Sequence, residues 1–223
     1  MPRAIARVIL PFRTSDEIAA AIPTVVAHLN RGGLLAYPTE TVYGLGSDVA
    51  VESLAALAGL KGRSPDKPFL LLVASRAMAE QWGLLFSPSA RALSDAFWPG
   101  PLTLVLPGGE GRLPDQLRGR EGGIAARHTS HAGIRQLVSA LGRPLTSTSA
   151  NRPGQPPAPG PDRIAEAFRP EIESGLLLVL DGGVLGNVPP STLVDCTGVM
   201  PRMVREGSIP RAELRRAAGS LAP

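Results

Sequence analysis

Residues 51–74 read VESLAALAGLKGRSPDKPFLLLVA, and the reading of this stretch decides the fold. VESLAALAGL reads as a helix that ends near Gly62, the residue type that best adopts a left-handed stop. FLLLVA, 69–74, is a short apolar run with the composition of a buried strand. A polar, Pro-containing loop, KGRSPDK, joins the two. Helix, loop and buried strand in such quick succession predict a sheet with helices on its faces.

The pattern repeats outward from this stretch. Further strands are expected at 6–10 (ARVIL), 33–37, 102–106, 123–127, 176–180, 192–195 and 202–205, with a short one at 144–146. A helix is expected after Thr14 or Ser15, with Asp16 and Glu17 suited to its N-terminal dipole. Pro23 predicts a kink or an early break in it. In HAGIRQLVSALG, 131–142, Ile134, Leu137, Val138 and Leu141 recur at helical spacing and form a core-facing stripe. RPGQPPAPGP, 152–161, reads as a long exposed loop over one domain rather than a linker, because about 60 further residues are few for an independent core. The expectation is a single α/β domain over 1–223, its core at about 14–209 and a helical tail at 210–223.

With 223 residues, 43% apolar and 19% charged, the chain has globular composition. The purely apolar runs, among them FLLLVA at 69–74 and LLLVL at 176–180, are far short of a membrane span. The first residues lack the apolar core of a signal peptide, so a cytoplasmic protein is the expectation. One cysteine, Cys196, excludes an internal disulfide and cannot alone hold a metal. The net charge of +4 is uneven: residues 61–160 carry 12 Lys plus Arg against 6 acids, whereas 1–60 and 161–223 each carry one more acid than base. Two readings stand for this. The middle segment meets an anion such as nucleotide phosphate or RNA, or arginines decorate a solvated surface.

No P-loop and no G-x-S-x-G elbow occurs, and GLGSDV at 44–49 lacks the third glycine of a dinucleotide fingerprint. His28 on a helix reads as packing, whereas His128 and His131, beside Arg127, are better placed for function. What remains is a set of polar loops at strand ends. YPTETVYGLG, 37–46, offers Thr39, Thr41 and Glu40; STSAN, 147–151, offers closely spaced hydroxyls and an amide after a strand. Arg127 ends an apolar strand and suits bidentate capture of a carboxylate. The chain holds two lysines, Lys61 and Lys67, both in KGRSPDK around Arg63. Either they make a phosphate-type contact that favours the compact ammonium, or they are chance retentions on a solvated helix end.

In order along the chain, YPTETVYGLGSD, KGRSPDKPFLLLV, FWPGPLTLVLPG, GGIAARHTSHAGIRQL, RPLTSTSANRPGQPPA and STLVDCTG…MVREGSI resemble the YrdC-like family of threonylcarbamoyl-AMP synthases. The pairs Lys61/Arg63 and Ser149/Asn151 match its hallmark motifs. The resemblance implies a twisted, largely open sheet with a concave, positively charged cavity. It implies condensation of L-threonine, bicarbonate or CO2, and ATP into threonylcarbamoyl-adenylate, with Mg²⁺ carried on the ATP, no organic cofactor and no triad. It implies Lys61, Arg63, Lys67, Ser149, Asn151 and Arg205 at the nucleotide, Gly123 and Pro157 lining the same site, and Thr41, Arg127, Ser147 and Ser191 at threonine. Lys61 and Arg63 would stabilise the phosphates in the transition state, and no general base stands out. The product would pass to a threonylcarbamoyl-transferase complex that modifies tRNA. The alternative is a paralogue that binds tRNA or double-stranded RNA without this activity. Two positions depart from the pattern: Ser64, where many members have proline, and Leu72, where some place a histidine near threonine.

Overall fold

Side-chain alternation along the strands sorts the interior into two faces. The computed structural model describes residues 9–63 and 67–222; Ser64 and most of the expected strand 6–10 lie outside them. The first half of the chain forms β1 (Ile9–Pro11), α1 (Ser15–Asn30), β2 (Leu34–Tyr37), β3 (Gly44–Gly46), α2 (Val51–Lys61), β4 (Leu70–Leu72), α3 (Arg76–Gln81), α4 (Pro88–Phe97) and β5 (Leu102–Leu106). The second half forms β6 (Ile124–Arg127), α5 (Ala132–Leu141), β7 (Leu145–Ser149), α6 (Pro161–Ala167), α7 (Arg169–Glu173), β8 (Leu177–Asp181), β9 (Thr192–Asp195), β10 (Arg202–Arg205) and α8 (Arg211–Ala218). Among the described residues the strands make one ten-stranded mixed sheet in the order β1-β8-β2-β3-β7-β4-β6-β5-β9-β10.

On one face, Leu34, Ala36, Leu71, Val73, Leu102, Leu104, Ile124, Ala126, Leu177 and Val179 join Leu54 and Leu57 of α2, Leu93 of α4, Ile164 of α6 and Leu214 of α8 in the larger core. On the other, Leu35, Tyr37, Leu72, Leu145, Leu178 and Leu180 meet α1 and α5. All four residues of the expected α5 stripe are buried there. Odd and even positions of β2 and β8 thus enter different cores, as period-two geometry requires.

Thr14 caps α1 through the Glu17 amide, and Glu17 reaches back to the Thr14 amide, a complete capping box. The helix runs unbroken through Pro23, against the expected early break. Pro23 and Ala19, whose carbonyl it cannot satisfy, both lie on the exposed flank where water can substitute. α2 ends as expected, with Gly62 left-handed at φ 51°. Two other expectations change. GLG at 44–46 is a central strand rather than a turn, and STS at 147–149 continues β7 rather than forming a loop. Both follow from pairing: Gly44 and Leu45 pair with Ser149 and Thr148, while β4 pairs with the other side of β7. A Cβ at Gly46 would lie 2.0 Å from the Thr146 carbonyl oxygen, so only glycine allows this approach.

Helices α1 and α5 cover only part of their face. Beyond them, over β6, β5 and β9 and along the edge of β4, that face lines a cavity.

Candidate active site

The residues that alternation turns away from the larger core form the cavity floor: Leu70 and Leu72 of β4, Thr103 of β5, Ala125 and Arg127 of β6, Ser147 and Ser149 of β7, and Leu193 of β9. Thr39, Thr41 and Val42 wall one side, Pro190 and Ser191 another, with Arg63 and Arg205 at the remaining rim. The enclosed volume is about 330 Å³. Its lining holds three arginines and no Asp or Glu among the described residues.

Arg127, at the end of β6, is 4% exposed. Its Nε donates to the Gly100 carbonyl at 3.2 Å and its Nη1 to Thr41 Oγ1 at 3.2 Å. Its Nη2 lies 2.8 Å from Glu40 Oε1 as an ion pair, with no aligned hydrogen-bond acceptor. Glu40 also accepts from the Thr129 hydroxyl and, at 2.9 Å, from the Ser130 amide. Burial alone would push the Glu40 carboxyl up, but the Arg127 charge and these hydrogen bonds hold it down at about 2. The loop carrying Glu40 is itself fixed: Thr39 Oγ1 donates to the Val42 carbonyl at 2.7 Å and accepts from the Thr41 and Val42 amides.

Arg63 and Arg205 are held differently. Arg63 donates to Thr148 Oγ1 at 2.7 Å and to the Lys67 and Pro68 carbonyls, and lies 4.7 Å over the Phe69 ring. Arg205 donates to the Ser191 carbonyl at 2.8 Å, and Ser191 Oγ pairs with Thr103 Oγ1 at 2.8 Å. Burial lowers the pKa of both guanidiniums, with Arg127 adding to the effect at Arg205. Arg205 enters the rim from β10, whose pairing with β9 shifts register between Met203 and Arg205.

Of the residues singled out from sequence, Thr39, Thr41, Arg63, Arg127, Ser147, Ser149, Ser191 and Arg205 line this cavity. Leu72 lines it too, with an apolar surface where a histidine was the alternative. The others lie elsewhere. Lys61 is 8% exposed, and its ammonium donates to the Ser149 carbonyl, the Asn151 carbonyl and Asn151 Oδ1 at 2.9, 2.5 and 3.0 Å. Asn151 and Pro157 line a neighbouring depression beneath the proline-rich loop. Lys67 lines a small apolar pocket on the far side of Arg63. Gly123 packs on Val105 and Thr197, 2.5 and 2.6 Å from where a Cβ would sit.

The two histidines expected to serve function have packing roles instead. His131 caps α5 by accepting the Ile134 amide at Nδ1 and stacks on Phe12, and burial lowers its pKa. His128 lies edge-on to Trp98. His28 is buried, its Nε2 2.9 Å from the Leu34 carbonyl, as a packing residue should be. Sequence reading missed Thr103 and Thr148. Thr103 had a signal, a lone hydroxyl inside the apolar strand LTLVL; Thr148 had none beyond its neighbours. Cys196 is a free, buried thiol whose pKa burial and Asp195 push up to about 12.

A family profile for Sua5, YciO and YrdC, described as telomere recombination, matches residues 27–207. The chain belongs to the Sua5/YciO/YrdC family. Among its relatives is the threonylcarbamoyl-AMP synthase of Chromohalobacter salexigens, 41% identical over 82% of this chain and 94% of that protein. The threonylcarbamoyl-AMP synthase of Pyrococcus abyssi is 34% identical over 86% of this chain, which spans only 56% of that longer protein. The crystal structure of Pyrococcus abyssi Sua5 complexed with L-threonine superposes with a TM-score of 0.86 at 31% identity, over 96% of this chain and 61% of that one. The crystal structure of E. coli YciO gives 0.78 at 25% identity, over 89% and 95%. Membership of the Sua5/YciO/YrdC family accounts for the mixed, open sheet.

Proposed function

We propose that this chain is a threonylcarbamoyl-AMP synthase, using ATP, L-threonine and bicarbonate or CO2. One observation carries the assignment of ends within the site. A buried arginine, Arg127, is fixed by Gly100, Thr41 and Glu40 in a cavity whose lining also presents Arg63, Ser149 and Arg205. Threonine's carboxylate would take the free N–H capacity of Arg127, with Thr41, Ser147 and Ser191 offering hydroxyls to its polar groups. The nucleotide would lie toward Arg63, Ser149 and Arg205, with Lys67, Gly123 and Pro157 farther out along its length.

The chemistry needs no protein nucleophile. The threonine amine and CO2 form a carbamate with loss of a proton, or bicarbonate gives the same carbamate with loss of water. A carbamate oxygen then attacks the α-phosphorus of ATP, the bond to the bridging oxygen breaks, and pyrophosphate leaves. Negative charge grows on the phosphate oxygens, and fixed guanidiniums in a half-dry site stabilise it. Holding carbamate and α-phosphate together supplies the rest. Among the described residues no group of three His, Cys, Asp or Glu gathers to hold a metal. Mg²⁺ would therefore arrive on the ATP, bound by phosphate and water oxygens.

The threonylcarbamoyl-adenylate would pass to a transferase that modifies tRNA, a role that supports a cytoplasmic location. No helix among the described residues is long and apolar enough to cross a membrane. The test is pyrophosphate release by purified protein with ATP, threonine and bicarbonate, with the adenylate identified by mass. Turnover that ignores the omission of threonine would overturn this reading, and salt-sensitive RNA binding without turnover would replace it with the paralogue reading.

A further inference from the structure

We infer that Lys61 and Asn151 are positioning residues, which act by shaping the phosphate end of the cavity without touching the nucleotide. This rests on the reading of Ser149 and its surroundings as that end. Helix α2 stops at Gly62, so the Lys61 stem leaves the last helical turn and runs beneath residues 149–151. An ammonium carries three protons, and all three find acceptors here: the Ser149 carbonyl, the Asn151 carbonyl and Asn151 Oδ1. None remains for a phosphate. The Asn151 amide is equally committed. Its Oδ1 also accepts from Ser149 Oγ at 2.5 Å, and its Nδ2 donates to the Arg152 and Gln155 carbonyls at 2.9 and 2.7 Å.

The result is a bracket. Residues 61 and 151 lock each other and hold the end of β7, so that Ser149 faces the cavity while Asn151 starts the proline-rich loop. The geometry also explains a compositional oddity, since the chain uses arginine at 21 of its 23 basic positions. Three acceptors converging on one point suit a compact tetrahedral donor, and a planar guanidinium presents its donors in a wider fork. Burial, and then the charge of Arg63, bring Lys61 down to about 8, in keeping with an enclosed ammonium behind the loop.

Because the chain has two lysines, nitrogen-15 labelling of lysine alone gives two ammonium signals, and Lys67→Arg assigns them. In ligand-free protein near pH 6 the Lys61 signal should be visible through slow proton exchange, and adding ATP with Mg²⁺ should leave it nearly unmoved. A signal absent without ATP, or one that appears or shifts strongly with it, overturns the bracket. The kinetic counterpart is a double-mutant cycle on threonine-dependent pyrophosphate release. Lys61→Met and Asn151→Ala should each lose about 10²-fold, and the double variant no more than the worse single. Multiplying losses, about 10⁴-fold, would mean two independent contacts and would overturn the proposal. Lys61→Arg should not rescue. If the variants do not fold, the wild-type spectrum still decides. A wild type without threonine-dependent turnover would sink the proposed activity, while the ligand-free spectrum would still report on the bracket.

Discussion

The two ends of the cavity use the same side chain in opposite electrostatic settings. Arg127 is neutralised before any ligand arrives, because Glu40 lies 2.8 Å away and is held ionised by that charge and by hydrogen bonds from Thr129 and Ser130. Among the described residues, the hydrogen bonds of Arg63 and Arg205 run to carbonyls and a hydroxyl, which orient them without cancelling their charge. A pre-paired guanidinium has a fixed direction and little net field, which suits the carboxylate of a small zwitterion. Two uncompensated guanidiniums suit a polyanion whose charge grows during reaction. The difference teaches that, on the proposed reading, recognition geometry and charge stabilisation fall to different arginines.

Each end can be tested separately. The largest effect is expected from Arg63→Ala, which should lower pyrophosphate release about 10²–10³-fold and raise the KM for ATP far more than that for threonine. Arg127→Met should cost a similar factor with the opposite split, the threonine KM rising and the ATP KM staying put. If both variants raise both constants alike, the two-ended description breaks.

Glu40→Gln is expected to be milder, about tenfold in the threonine KM with the ATP KM unchanged, because Arg127 keeps its Gly100 and Thr41 acceptors but loses its alignment. The same residue ties stability to pH. The carboxyl is depressed from 4.5 to about 2 in the folded chain, so its contribution is complete above pH 4.5 and is lost as pH falls toward 2. Acid unfolding followed by circular dichroism should therefore be shallower across that window in Glu40→Gln than in wild type, the contribution being at most about 3 kcal/mol. Equal slopes would mean that the pair does not form in solution. Thr103→Val should have the smallest effect: removing the bond to Ser191 costs about 1 kcal/mol, read as about a fivefold higher threonine KM.

The sheet was legible where apolar residues run or alternate. LTLVL at 102–106 and RMVR at 202–205 coincide with β5 and β10. It was illegible where glycine or hydroxyls replace apolar side chains, as in GLG of β3 and STS of β7, because backbone pairing from both neighbours decides those segments. At the site, Arg127 was readable as a polar end to an apolar strand. The burial of Lys61 was not, since its three acceptors come from residues 88–90 positions away and local spacing carries no trace of them.

The register shift in β10 has one more consequence. Arg202 pairs with Asp195 and Met203 with Val194, but it is Arg205, not Val204, that meets Leu193. Leu193 points into the cavity, whereas Val194 points into the larger core. Were the register regular, Val204 would meet Leu193, and Arg205 would fall opposite Thr192 and face the core. Val204 therefore acts as a parity bit for the strand: its exclusion from the pairing decides on which side of the sheet this charge is read.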